Sequence, residues 1–215
     1  MQGLQPSFLP AMSDFIYLAS QSPRRRQLLE QIGVCHELLL PNTAGDQAED
    51  AEAIELALPG EAPRGYVQRV TGLKLDAAVA RHARRGLPPA AILCSDTTVA
   101  LGARILGKPE DEADAARILA LLAGQEHEVL TAVALQQGAQ RFTALSVSRV
   151  RFAPMTRAQI DAYVATGEPM GKAGAYGIQG AAAAHVAHLE GSYTGIMGLP
   201  LFETAGLLRQ AGWPL

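Results

Sequence analysis

The sequence predicts an α/β fold built on a mixed sheet, and three observations carry that prediction. Short apolar runs at residues 15–19 and 91–95 have the length and continuous hydrophobicity of strands covered on both faces. Between and after them, apolar residues recur at helical spacing. Residues 129–135 and 142–152 read as two further strands, close enough in sequence to pair with each other. Strands alternating with helices, together with hairpin pairing, call for a sheet that is part parallel and part antiparallel.

The elements follow in order. Residues 15–19 form the first strand, and Ser22-Pro23 starts a helix: a hydroxyl to cap, then a fixed φ where no N–H is needed. Leu28, Leu29 and Ile32 give that helix its apolar face, and Gly33 stops it. Residues 41–62 read as a polar, acid-rich connection. Pro63 opens a helix on which Tyr66, Val67, Val70 and Leu73 recur at helical spacing. The strand at 91–95 runs into Asp96-Thr97-Thr98, and residues 99–106 make a hairpin around Gly102. Pro109 with Glu110, Asp111 and Glu112 favours a helix start; Ala115, Ile118, Leu119 and Leu122 carry the helix to Gly124. After the paired strands, Thr156 caps a helix carrying Ile160, Tyr163 and Val164 that stops at Gly167. A glycine-rich segment, a short strand at 185–189 and a helix after Pro200 follow. Residues 1–13 are expected to be a tail without fixed structure, and 14–215 a single domain without internal repeats.

Composition bounds the function. The chain has 215 residues, 48% hydrophobic and 18% charged, which excludes a disordered protein. Lys and Arg number 18 against 21 Asp and Glu, a formal charge of -3, so no basic field draws nucleic acid or an anionic membrane. No apolar run approaches the ~20 residues of a membrane-spanning helix. The N-terminal residues carry no cationic stretch ahead of an apolar one, unlike a signal peptide. Cys35 and Cys94 make no disulfide framework and read as reduced thiols of a cytosolic protein.

Four stretches carry candidate chemistry. Ser20-Gln21-Ser22-Pro23-Arg24-Arg25-Arg26 sits at a strand-to-helix junction, where free N–H groups and the positive dipole suit an anion. Hydroxyls and guanidinium forks there fit phosphate oxygens, although a capped helix with a solvated basic first turn has the same pattern. Asp96 follows a buried strand directly, a place suited to handling metal or water, or equally to a turn. The run from Gly102 to Lys108 has P-loop spacing, but Pro109 stands where a P-loop needs Ser or Thr for Mg²⁺, so that reading fails; Lys108 stays a candidate phosphate contact. In the segment 167–180, glycines at 171, 174, 177 and 180 allow close backbone approach to a ligand, and Gln179 can offer both donor and acceptor to a base edge. No metalloprotease helix motif, zinc spacing or nucleophile elbow is present, and His127 reads as a packed structural histidine.

Taken together, these segments resemble the Maf family of nucleoside triphosphate pyrophosphatases. The matching pieces are Leu18-Ala19-Ser20-Gln21-Ser22-Pro23-Arg24-Arg25, Tyr66-Val67-Gln68-Arg69-Val70 with Lys74, Ser95-Asp96-Thr97-Thr98-Val99 and Gly107-Lys108-Pro109. Ala123-Gly124-Gln125-Glu126-His127-Glu128-Val129, Tyr163-Val164-Ala165-Thr166-Gly167-Glu168-Pro169, Lys172-Ala173-Gly174-Ala175-Tyr176-Gly177-Ile178-Gln179-Gly180, and Glu190-Gly191-Ser192-Tyr193 with Gly198-Leu199-Pro200-Leu201 continue the set. They keep the family order and span nearly everything after Asp14. The resemblance implies a two-lobed Maf/ITPase-like α/β fold around a long mixed sheet, with the nucleotide in the cleft. It implies hydrolysis at the α-phosphorus to a monophosphate and pyrophosphate with a divalent cation, Mg²⁺ or Mn²⁺, in a cytoplasmic homodimer.

Carried over by motif, Asp96 is the expected proton acceptor, and Arg25, Thr97 and Gln179 match positions tied to substrate choice. The Ala-Gly-Ala-Tyr-Gly-Ile-Gln-Gly version with Arg25 is similar to the subgroup acting on dTTP and UTP. Ser20, Ser22, Arg24, Arg25, Lys74, Lys108 and Lys172 are the expected phosphate contacts. Asp96 and Glu55 are the expected metal ligands; relatives carry an Asp-Glu pair where this longer connection has Ile54-Glu55. Three rivals stand beside this reading: the same reaction on 7-methyl-GTP or modified nucleotides, a non-catalytic nucleotide-binding regulator of cell division, and a phosphatase releasing orthophosphate.

Overall fold

A computed structural model describes residues 14–42, 49 and 51–215, and among these seven strands form one mixed sheet. The expected tail at residues 1–13 lies outside the described residues. Strand β1 (Ile16–Leu18) turns into helix α1 (Pro23–Gln31) and returns as β2 (His36–Leu38). Helices α2 (Ala51–Glu55) and α3 (Pro63–Arg84) lead to β3 (Ala91–Leu101), which folds back as β4 (Arg104–Leu106). After α4 (Glu112–Leu122) come β5 (Glu126–Gln137) and β6 (Gln140–Phe152), then α5 (Arg157–Val164). Strand β7 (Val186–Glu190) and helices α6 (Tyr193–Met197) and α7 (Leu201–Gln210) follow. The order across the sheet is β2-β1-β3-β5-β6-β7, with β4 also on β3; β1 runs parallel to β2 and β3, and the remaining pairings are antiparallel.

The alternation of side chains along β3 explains how the core divides. Ala91 and Leu93 pack with Leu28, Leu29, Leu207 and Leu208 beneath α1 and α7. Ile92 and Cys94 face the other way, onto Leu75 and Ala78 of α3. Cys94 is sealed there, and burial pushes its thiol up to about 12. Farther along, Val99 joins a separate core with Leu119 of α4 and Tyr163 of α5, while Ala100 meets Val67 and Leu130. Between the two cores lies the polar stretch Ser95-Asp96-Thr97-Thr98. Strand β1 ends level with Leu93, so β3 continues past it into open ground, and a crevice forms at that step.

Several local signals act as their chemistry requires. Asp111 caps α4 by accepting from the Asp114 amide, and Thr156 with Gln159 forms a capping box on α5. Three features differ from expectation. Ser22 makes no side-chain cap on α1; its own amide donates to Ser20 Oγ, two residues back, at 3.1 Å. The connection at 41–62 contains a helix, α2. Strand β3 does not end before Asp96 but runs through it, with Asp96 opposite Ala132 and Thr97 opposite Thr131 of β5.

Candidate functional site

Asp96 stands at the centre of a cavity of about 500 Å³ that opens between the two cores. Its Oδ1 accepts from Lys74 Nζ at 2.6 Å, and Glu55 Oε1 accepts from the same ammonium at 2.7 Å. Glu55 Oε2 in turn accepts from Lys108 at 2.9 Å. Lys74 reaches this point because Thr71, Leu75 and Ala78 press the same side of α3 onto the sheet. Burial works to lower the Lys74 ammonium, but Asp96 and Glu55 outweigh it and hold it above its ordinary value. Burial likewise works to raise Glu55, and its bonds to Lys74 and Lys108 overcome that, keeping it a carboxylate. Two acids and two bases thus share four charges at the cavity wall.

The α1 junction supplies a further part of the lining. Arg25 is half-buried, and loss of solvent lowers its guanidinium from the usual value against the pull of Asp96; its bonds go to neutral groups. Nε donates to the Gly198 carbonyl at 2.7 Å, Nη1 to Ser20 Oγ at 3.2 Å and Nη2 to Thr97 Oγ1 at 3.4 Å. Ser95 Oγ reaches the same Gly198 carbonyl at 3.0 Å. Arg25 therefore ties three segments together at the cavity edge. Arg24 Nε donates to the Met197 carbonyl at 3.3 Å. Lys172 comes from the glycine-rich segment and donates to the Glu168 carbonyl; burial and the nearby Arg24 charge lower its ammonium against the pull of Glu168.

Of the residues singled out in the sequence, Ser20, Ser22, Arg24, Arg25, Glu55, Lys74, Asp96, Thr97, Lys108 and Lys172 all line this one cavity. Gln179 does not. The Gly180 amide donates to the Gly177 carbonyl at 3.0 Å, closing a turn whose central pair splits Ile178 into the core and Gln179 out to solvent. Its Nε2 lies next to Gly177, on the same side as the Cε of the lining residue Lys172. Two charged lining residues, Arg81 and Glu49, escaped the sequence reading. Arg81, buried on α3 one heptad beyond Lys74, binds Glu49 and the Leu39 carbonyl. Their spacing of 32 residues leaves no local motif.

The lining has six basic side chains against three acidic ones, so a chain that is acidic in sum presents a basic surplus here. That surplus suits a polyanion. A second part of the lining is apolar: Val99, Val129, Ala173, Tyr176, Ile196 and Met197 belong to the core shared with α4 and α5. Behind Tyr176, His127 is buried with its Nε2 2.8 Å from the Tyr176 hydroxyl, a packed structural histidine. Among the described residues, no three His, Cys, Asp or Glu side chains form a cluster able to hold a metal ion by themselves. Among the described residues, no helix is long and apolar enough to cross a membrane.

Comparison with known proteins places this geometry. The family model described as Maf-like protein matches residues 15–211. A dTTP/UTP pyrophosphatase of Polaromonas sp. is 64% identical over 95% of this chain and 98% of its own. Proteins of the same name from Albidiferax ferrireducens and Cupriavidus metallidurans are 62% and 61% identical, each over 94% of this chain and over 99% and 98% of their own lengths.

Proposed function

Because the chain belongs to the Maf family, we propose that it is a nucleoside triphosphate pyrophosphatase that hydrolyses dTTP and UTP to the monophosphate and pyrophosphate. The observation that carries this reading is the placing of Asp96 beside a basic surplus and an apolar wall in one cavity. A triphosphate is neutralised by the cations, and the nucleoside lies against the apolar wall. Water attacks the α-phosphorus, giving its proton to Asp96; the bond from the α-phosphorus to the bridging oxygen breaks, and pyrophosphate leaves with its charge on Arg24, Lys108 and Lys172.

Asp96 and Glu55 fit a divalent cation of the Mg²⁺ or Mn²⁺ kind. They are hard oxygen donors, and such ions are held by one or two carboxylates with substrate phosphates and water completing the shell. That the pair now brackets the Lys74 ammonium marks the spot as suited to positive charge. A bound cation would supply charge neutralisation at the phosphates. Lys74 meanwhile holds the Asp96 carboxylate in place at the cavity.

Incubation with Mg²⁺ and a nucleotide panel tests the assignment. Pyrophosphate with dTMP or UMP is expected; orthophosphate with a diphosphate, or no turnover by folded protein, would sink it. Chelation followed by add-back of Mg²⁺ or Mn²⁺ checks the cation. Assembly as a homodimer belongs to the same proposal and is checked by light scattering in solution.

A further inference from the structure

Residues 167–181 wall one side of the cavity, contributing Gly171, Lys172, Ala173 and Tyr176, yet a stretch so rich in glycine does not hold a position on its own. Two contacts fix it. On the inner side Gly174 lies against Val99, so close that a Cβ there would stand 2.8 Å from the valine Cγ2, and its amide donates to the Gly107 carbonyl at 3.0 Å. On the outer side the segment closes on the carboxylate of Glu168. Oε1 accepts from Tyr163 Oη at 2.8 Å and Oε2 from the Ala181 amide at 2.9 Å. Tyr163 Oη also accepts from the Gly177 amide at 3.2 Å. A Cβ on Gly180 would fall 2.1 Å from Glu168 Oε1, so the backbone packs directly on the carboxylate.

Tyr163 is 4% exposed and anchored in the α5 core, so Glu168 links a rigid helix to the far end of a pliant segment. Glu168 itself is not part of the cavity lining; it acts from behind the wall. We propose that Glu168 is a positioning residue that sets the width of the apolar side of the cavity, and so the preference for pyrimidine over purine triphosphates. This rests on the reading that the nucleoside lies against that apolar wall. A purine adds a second ring, and a wall held between Val99 and Glu168 leaves no slack to receive it. Without the carboxylate, the Gly177 to Ala181 stretch loses its charged anchor and the wall moves outward.

The test compares wild-type protein with Glu168→Ala, Glu168→Gln and Tyr163→Phe, measuring kcat and KM for dTTP, UTP, dATP and dGTP alongside circular dichroism. For Glu168→Ala we expect KM for dTTP to rise roughly tenfold, the scale of one lost charged hydrogen bond, with kcat little changed. The dATP to dTTP ratio of kcat/KM should rise several-fold. Glu168→Gln can still accept from the Ala181 amide but loses the charge and the second acceptor oxygen, so it should fall between wild type and Glu168→Ala. Tyr163→Phe loses the hydroxyl that joins Glu168 to Gly177 and should shift the ratio in the same direction; it decides the matter if Glu168→Ala does not fold. An unchanged ratio in a folded variant overturns the proposal, as does a loss confined to kcat. A folded wild-type protein that turns over none of the four overturns the assigned activity, and this proposal with it.

Discussion

Lys74 donates to Asp96 across 2.6 Å, from the middle of a helix to the middle of a strand, 22 residues apart in sequence. The same ammonium reaches Glu55. The carboxylate assigned the proton in hydrolysis is therefore held in place by a cation that belongs to the protein.

Replacing Asp96 with Asn keeps the shape and removes the proton acceptor. Turnover of dTTP is expected to fall by roughly 10²–10⁴ with an unchanged circular dichroism spectrum. Near-normal turnover would remove Asp96 from that role.

Lys74→Met leaves two carboxylates facing each other without their shared partner. Activity should drop sharply, and stability should fall by roughly 1–3 kcal/mol, less than for a fully buried pair because water reaches these groups. Urea titration and dTTP turnover together check this. Lys74→Arg should recover more stability than activity, since a planar fork cannot reproduce a point contact to both acids.

Acid should weaken the fold through His127. Burial lowers its imidazole from 6.5 to about 4, and its Nδ1 is buried with no partner for a second N–H. The unfolded chain takes the proton near pH 6.5, the folded one only near pH 4. The contribution is thus intact above about pH 6.5, is lost progressively as pH falls toward 4, and levels off below. The loss is on the order of 3 kcal/mol. Denaturant titrations across this range should show that slope, and His127→Gln should flatten it.

Gly174→Ala should be among the more damaging single-methyl additions. The site has φ of 70°, and the new Cβ would lie under 3.0 Å from three atoms of Val99. Both the left-handed backbone and the overlap count against it, so a loss of roughly 2–4 kcal/mol is expected by thermal or chemical denaturation.

Legibility in the sequence followed the range of the interactions involved. Helices α4 and α5 declared themselves because cap and apolar stripe lie within one short window, as Asp111 and Thr156 illustrate. Strand β2 did not, since His36, Glu37 and Leu38 sit on a sheet edge, partly or fully exposed, and carry no apolar alternation. Helix α6 has five residues including a glycine, too short for a periodic signal. In the site, residues at the α1 junction and on β3 were readable because local motifs present them. Arg81 was not, because the Glu49 partner that makes it more than a surface arginine is remote in sequence. Gln179 stood out by type and by its glycine neighbours, while its exposed place beside the lining is set by the turn that Gly177 and Gly180 close.

The two thiols differ in a way that makes the protein report on itself. Cys35 is exposed, whereas Cys94 is sealed in β3, two residues before Asp96 and suppressed as a nucleophile. A maleimide applied to the native protein should label Cys35 alone, giving a single attachment point for a dye. Labelling of Cys94 then requires the strand that carries Asp96 to part from α3. Its rate measures how often that strand opens, with no engineered probe.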